Sequence, residues 1–209
     1  MAQRYRSMLL FGGPGVGKGT QGKLLGAIPG FRHFSTGEMF RGLDRTSELG
    51  RLFDQISSRG ELVPDELTIK LWAQDVAGQV QSGEYDPRRD LLVLDGVPRS
   101  VAQCEQMADQ IEVLAIVHLS CENKERMFER LRARALKENR SDDAKDDVIR
   151  RRWDVYEAET APVLGFYDNR LVHEVEAEGH PASVLSRVLA VCAPIVEAKF
   201  ANALSHNNS

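Results

Sequence analysis

Met8-Leu9-Leu10-Phe11-Gly12-Gly13-Pro14-Gly15-Val16-Gly17-Lys18-Gly19-Thr20 runs from an apolar stretch into four glycines and a proline, and then onto a single lysine. The unbroken apolar run Met8–Phe11, stopped by glycine, predicts a buried strand. Glycine permits positive φ and, having no Cβ, lets main-chain N–H groups crowd around an anion. A helix predicted from near Gly17 through Leu24 and Leu25 adds its unpaired N–H groups and the positive end of its dipole. Lys18 stands where its ammonium reaches the outer phosphates of a nucleotide. So much bare backbone beside one cation is a phosphate cradle, and a plain turn has no use for it.

The spacing from Gly12 to Lys18 is G-x-x-x-x-G-K, the P-loop, in the strand-to-helix setting that the motif requires. The residue after Lys18 is Gly19, and the hydroxyl comes one later at Thr20. That order argues against a P-loop protein that grips magnesium through a Ser or Thr directly after its lysine.

Working outward, His33–Ser35 is a second short strand leading into a helix opened at Thr36. Helical spacing covers Ser47 to Ser58 and Asp65 to Val80, the latter introduced by Pro64-Asp65-Glu66. Leu91–Leu94 and Val113–Leu119 are strands, with a helix predicted over Ser100 to Ile111 between them. Long helices are expected over Glu122 to Leu136 and about Ala144 to Tyr167. Leu171–Val175 is a last strand, and a helix starts at Pro181. Strands apolar on both faces, alternating with helices, imply an α/β three-layer sandwich around a five-stranded parallel sheet.

The chain has 209 residues, enough for one domain with insertions. Its formal net charge of −4 argues against general nucleic-acid binding, although basic residues cluster between Arg126 and Arg152. Cys104, Cys121 and Cys192 are three, far apart and without a CxxC pair, which suits free thiols in a reducing compartment and neither disulfides nor zinc. The apolar run after Arg4 and Arg6 is shorter than the ~7–15 residues of a secretory segment. No stretch is read as approaching the ~20 residues of a membrane span. The expectation is a cytoplasmic protein without membrane or nucleic-acid partners, with no internal repeat and only Ser205–Ser209 as a disordered tail.

Gly17-Lys18-Gly19-Thr20-Gln21 begins a series of segments that resembles the nucleoside monophosphate kinases, adenylate kinase in particular, along nearly the whole chain. Phe34-Ser35-Thr36-Gly37-Glu38-Met39-Phe40-Arg41 is similar to that family's monophosphate-site segment. Gly60-Glu61-Leu62-Val63-Pro64-Asp65 is similar to its loop over the monophosphate base. Asp95-Gly96-Val97-Pro98-Arg99, with Gln103 beyond, is similar to its central signature. Arg130, Arg134, Arg140 and a late arginine match its lid and phosphate ligands.

The resemblance implies reversible, magnesium-dependent transfer of a phosphoryl group from ATP to AMP, giving two ADP, in adenine nucleotide homeostasis. Such transfer needs no general base, because the attacking phosphate oxygen is already ionised. It needs two polyanions held in line and dry, hence many arginines and few catalytic carboxylates. Guanidinium forks match phosphate oxygens in pairs and keep their charge.

For ATP, the resemblance assigns Gly13, Pro14, Gly15, Val16, Gly17, Lys18, Gly19 and Thr20, with Arg130 stacking on the base, Arg134 on the transferring phosphate and Gly179 by its backbone. For AMP it assigns Thr36, Gly37 and Arg41, then Glu61, Leu62 and Val63, then Gly96, Val97, Pro98, Arg99 and Gln103, with Arg140 and Arg152. The catalytic group is Lys18, Arg99, Arg134, Arg140 and Arg152, and Asp95 orders the water shell of magnesium. Counting forward from Arg140 lands on Arg151, whereas counting back four from Tyr156 lands on Arg152; a loop takes up an extra residue more readily than a helix, so Arg152 is chosen. Val97 stands where an aromatic is usual, which implies looser packing beneath the AMP base, and Glu38 stands where aspartate is commoner.

The expected organisation is one domain over 1–209, with a monophosphate-binding insertion at about 36–67 and a short lid at about 136–143. Only five residues separate Arg134 from Arg140, which leaves no room for a zinc-bearing hairpin, so no zinc is expected. The family implies a monomer. The closest rival is a UMP/CMP kinase, whose members usually carry alanine at the Thr36 position and asparagine at the Gln103 position; both residues here favour AMP. A P-loop GTPase switch is a broader rival, but Asn123-Lys124 is followed by Glu125-Arg126 and not by the guanine-reading pattern.

Overall fold

The computed structural model describes residues 4–138, 145–202 and 204. Five strands, β1 (Tyr5–Phe11), β2 (Phe31–Ser35), β3 (Leu91–Asp95), β4 (Ile111–Ser120) and β5 (Val172–Glu176), form one sheet in the order β2-β3-β1-β4-β5. Every pairing is parallel. The helices are α1 (Lys18–Gly26), α2 (Thr36–Arg41), α3 (Glu48–Ser57), α4 (Asp65–Ser82), α5 (Val101–Met107), α6 (Lys124–Glu138), α7 (Asp146–Val155) and α8 (Pro181–Lys199).

Alternate residues of each strand feed two separate cores, as pleating requires. Met8 and Leu10 of β1 join Leu25, Leu91, Val93, Val117, Val184 and Val188 on one face. Leu9 and Phe11 join Phe34, Trp72, Leu92, Leu94, Met107 and Ile116 on the other. Leu91, Leu92, Val93 and Leu94 are all 0% exposed, so β3 is apolar on both faces because both are covered. Each such side chain contributes roughly 1.5–3 kcal/mol of burial.

Two predicted helices end sooner than their spacing suggests. The segment Ser100 to Ile111 is helical only over α5; a turn closed by Gln110 N–H to Met107 C=O (2.8 Å) releases Ile111 into β4, where it pairs with Tyr5. The stretch 144–167 is not one α-helix. After α7 the chain widens into a π-type turn over Tyr156–Thr160 and tightens into a 3₁₀ stretch over Ala161–Phe166, at whose start Pro162 has no N–H for an α-helical bond. Conversely, α6 runs to Glu138, past the expected end at Leu136. Most of the segment read as the lid, Arg140 included, lies outside the described residues.

One helix, α8, is long and apolar enough by composition to cross a membrane, a length the sequence reading did not anticipate. Its Val184, Val188 and Cys192 pack into the first core. Arg6 of β1 donates to the carbonyl of Lys199 and lies over the Phe200 ring at 4.1 Å, fastening the end of α8 to the sheet.

Candidate active site

β1 lies at the centre of the sheet, between β3 and β4, and the chain leaves it to one side for β2 and β3 and to the other for β4 and β5. The carboxyl ends of β1 and β3 therefore flank the switch point where ligands of open α/β sheets bind. A cleft of about 740 Å³ opens there, within the usual range for ligand sites.

The phosphate loop forms one wall. Gly12, Gly15 and Gly17 take φ of 137°, 84° and 108°. Gly17 caps α1 with no side-chain hydrogen bond, and the first turn of α1 holds no acidic residue, so its N–H groups are left for an anion. A Cβ on Gly17 would meet nothing within 4 Å, whereas one on Gly15 would strike Met127 O at 2.8 Å. The loop is thus open toward the cleft and closed behind.

Gly13 forms part of that closed back. Its missing Cβ would fall 2.3, 2.7 and 2.9 Å from three atoms of the Trp153 ring. Trp153 is held edge-on by Phe128 and Tyr156, with Lys124 Nζ 5.3 Å from its centroid. The helix that carries Arg152 into the cleft therefore also supports the phosphate loop from beneath.

Lys18 Nζ donates to the carbonyls of Gly12 (2.5 Å) and Gly13 (3.1 Å). Burial lowers its pKa to about 8; Asp95 opposes the shift, and Arg99, Arg152 and Arg134 add to it. Asp95, at the end of β3 and 7% exposed, would be pushed up by burial alone. The neighbouring His33, whose Nε2 is 3.9 Å from Oδ2, together with Lys18 and Arg99, holds it below the usual carboxylate range.

Across the cleft, the Ser35 hydroxyl accepts from Glu38 N–H and starts α2, which carries Arg41. The Arg41 guanidinium folds back to within about 3 Å of where a Gly37 Cβ would lie. Thr36 Oγ1 donates to Gly96 C=O at 2.8 Å, and Arg99 Nε donates to the same oxygen at 2.9 Å. Gly96, with φ 85°, fits between these two side chains, where a Cβ would lie 2.5 Å from Thr36 Oγ1. The loop through Gly60 rests on α7, its Cα facing Arg152 Cγ and Val148 O.

From α6, Arg130 and Arg134 face the cleft. Arg126 and Arg132, on the same helix, are drawn off to Glu178 (3.0 Å) and to Asp146 (2.7 and 2.8 Å). Arg152 lines the cleft, and Arg151 is exposed outside it. Lys23 and Glu38 pair at 2.6 Å between α1 and α2, but both are well exposed and contribute little.

The structure gathers the sequence-assigned residues around this cleft, with three departures. Gly13 is buried behind the loop. Val97 is 1% exposed and belongs to the second core, so its side chain is not in the wall, which Gly96 and Pro98 form instead. Arg140 lies outside the described residues. Phe53, Tyr156 and Lys137 also line the cleft and were not anticipated; nothing in their local sequence distinguishes them from ordinary helix residues. The same holds for Trp153, whose role depends on a contact with a loop 140 residues away in the chain.

No group of three or more His, Cys, Asp or Glu side chains that could hold a metal occurs among the described residues. The single buried, ionised Asp95 beside the phosphate loop fits a magnesium ion that arrives on the nucleotide and touches the protein through water.

Residues 10–172 match the family model described as adenylate kinase. The chain is 36% identical over 189 residues to the adenylate kinase of Kocuria rhizophila, covering 88% of this chain and 96% of the relative. It is 37% identical over 188 residues to the adenylate kinase of Thermobifida fusca (87% and 95% covered), and 33% over 192 residues to that of Thermus thermophilus (88% and 96%).

Proposed function

The chain belongs to the adenylate kinase family and is a nucleoside monophosphate kinase, and from that premise we propose which of its residues move a phosphoryl group between ATP and AMP. Lys18, the phosphate loop from Pro14 to Thr20, Arg130, Arg134 and Gly179 hold ATP. Thr36, Gly37, Arg41, the backbone of Glu61–Val63, Gly96, Pro98, Arg99 and Gln103 hold AMP, and Arg140 and Arg152 reach its phosphate. An oxygen of the AMP phosphate bonds to the γ-phosphorus of ATP as the bond from that phosphorus to the β,γ-bridging oxygen breaks. Both products are ADP.

The observation that carries this reading is the charge inventory of one cleft. Lys18, Arg41, Arg99, Arg130, Arg134 and Arg152 surround a single buried carboxylate, Asp95. The lysine, the permanently charged guanidiniums and the bare amides stabilise the equatorial oxygens as charge spreads over them, and no group is needed to take a proton. Magnesium carried on ATP supplies further charge neutralisation, and Asp95 orders its water. The segments at about 36–67 and 136–143 close over the substrates and keep water from competing for the γ-phosphate. We read the protein as a cytoplasmic monomer with free thiols at Cys104, Cys121 and Cys192.

A coupled assay offering ATP with AMP, GMP, UMP and CMP in turn tests the assignment. AMP is expected to be phosphorylated far faster than the other three. Preferred use of UMP or CMP would overturn the choice of acceptor, and no transfer to any of them would overturn the site.

A further inference from the structure

Asp65, the first residue of α4, is 35 residues from Ser100 and 38 from Gln103 in the chain, yet its carboxylate holds both. Ser100 Oγ donates to Oδ2 at 2.6 Å, and Gln103 Nε2 donates to Oδ1 at 2.6 Å. The circuit closes locally: the Arg99 N–H donates to Gln103 Oε1 at 2.7 Å, and the Gln103 N–H donates to Ser100 Oγ at 3.1 Å, capping α5. Gln103 is 1% exposed and lines the cleft between the Arg99 loop and the loop of residues 60–63.

A glutamine amide has a donor end and an acceptor end that exchange when the group turns over. These two anchors forbid the turn. An ionised carboxylate has no proton to give, and a backbone N–H has no lone pair to offer. Turned over, Gln103 would set Oε1 against Asp65 and Nε2 against the Arg99 N–H, two like-to-like contacts in a buried place. Each anchor uses half of the capacity of its atom, leaving one lone pair on Oε1 and one hydrogen on Nε2.

We infer that Asp65 is a specificity-determining positioning residue that locks the Gln103 amide in the one orientation that reads adenine and rejects 6-oxopurines. This rests on AMP being the acceptor nucleotide. The 6-amino group of adenine donates and its N1 accepts, which suits the remaining lone pair on Oε1 and the remaining hydrogen on Nε2. Hypoxanthine has the same outline with the opposite pattern, an accepting O6 and a donating N1–H. A freely turning amide serves both bases equally. A locked one meets hypoxanthine with acceptor against acceptor and donor against donor, and sites that discriminate by hydrogen bonding reject the wrong partner far more strongly than sites that discriminate by shape.

The test is the ratio of kcat/KM for AMP to that for IMP, at saturating ATP, in the unmodified protein and in Asp65→Asn. The substitution keeps the shape and replaces an acceptor-only group by one that can also donate, so it accepts either orientation of Gln103. The ratio is expected to fall about tenfold, the effect of ~1.4 kcal/mol of lost preference, with the KM for ATP unchanged. If AMP and IMP both slow by the same factor, Asp65 is a structural brace and the inference is overturned. Should Asp65→Asn fail to fold, Asp65→Ser puts a hydroxyl that can donate as well as accept in place of the carboxylate; a severalfold fall in the ratio supports the lock, and an unchanged ratio overturns it. An unmodified protein that does not phosphorylate AMP would refute the functional reading itself, an outcome distinct from an unchanged ratio on active enzyme.

Discussion

Gly13→Ala places a methyl group where the Trp153 ring already lies. Gly13 is not among the glycines with positive φ, so alanine is permitted by the backbone and the only obstacle is the indole. All three close contacts, at 2.3, 2.7 and 2.9 Å, are shorter than real Cβ atoms make. The ring cannot step aside freely, because Phe128 and Tyr156 hold it at centroid distances of 6.3 and 5.9 Å. Overpacking of this kind costs about 1–3 kcal/mol, which at this chain length lowers Tm by roughly 2–4 °C for each kcal/mol. Trp153→Leu removes the obstacle and is destabilising by itself through the space it leaves. In the double variant the methyl occupies part of that space, so the two losses should not add. A coupling of about 1–2 kcal/mol is expected, measured by urea denaturation of the four proteins in a double-mutant cycle. Additivity within about 0.3 kcal/mol would refute the claim that the ring abuts the loop at this glycine.

Lys18→Ala and Arg99→Ala should each lower turnover by orders of magnitude while Tm moves by a few degrees at most; near-normal activity in either purified variant would count against the charge cage. The Lys18 pKa of about 8 in the free protein, set first by burial, predicts a pH dependence with a definite sign. Bound phosphates raise that pKa, so ATP binding takes up a proton above about pH 8, and ATP affinity declines as pH rises beyond it. Calorimetry at pH 8.5 in two buffers of different ionisation enthalpy measures that proton, and identical apparent enthalpies would contradict the prediction. Without ligand the same lysine has its folded pKa below its unfolded one of ~10.4. The unfolded chain therefore binds more protons between the two values, and this group's unfavourable contribution to stability is relieved as pH rises from about 8 toward 10.

Much of the site was legible because its signals are local. Met8 to Lys18 states a strand, a loop with room for phosphate and a helix start within a dozen residues, and each part needs only its neighbours. Arg152, which the resemblance selects over Arg151 by counting back four from Tyr156, is the one of the two that lines the cleft. What the sequence hid depends on contacts between distant segments. Asp65 reads as an ordinary acidic residue in a first helical turn, and only the fold brings Ser100 and Gln103 to it. The resemblance puts Val97 beneath the AMP base, where the family usually carries an aromatic, yet its side chain packs in the core, a matter of loop geometry that spacing does not encode. The break after Val155 had a written cause in Pro162, but the apolar spacing on either side of it reads as one continuous helix.

Trp153 has a further consequence for anyone studying this chain in solution. The sequence contains two tryptophans, and the other, Trp72, is wholly enclosed in the core on the opposite face of the sheet. The indole under the phosphate loop is therefore a built-in fluorophore packed directly against that loop. On the proposed site, its emission is expected to change when nucleotide is titrated in, without a label.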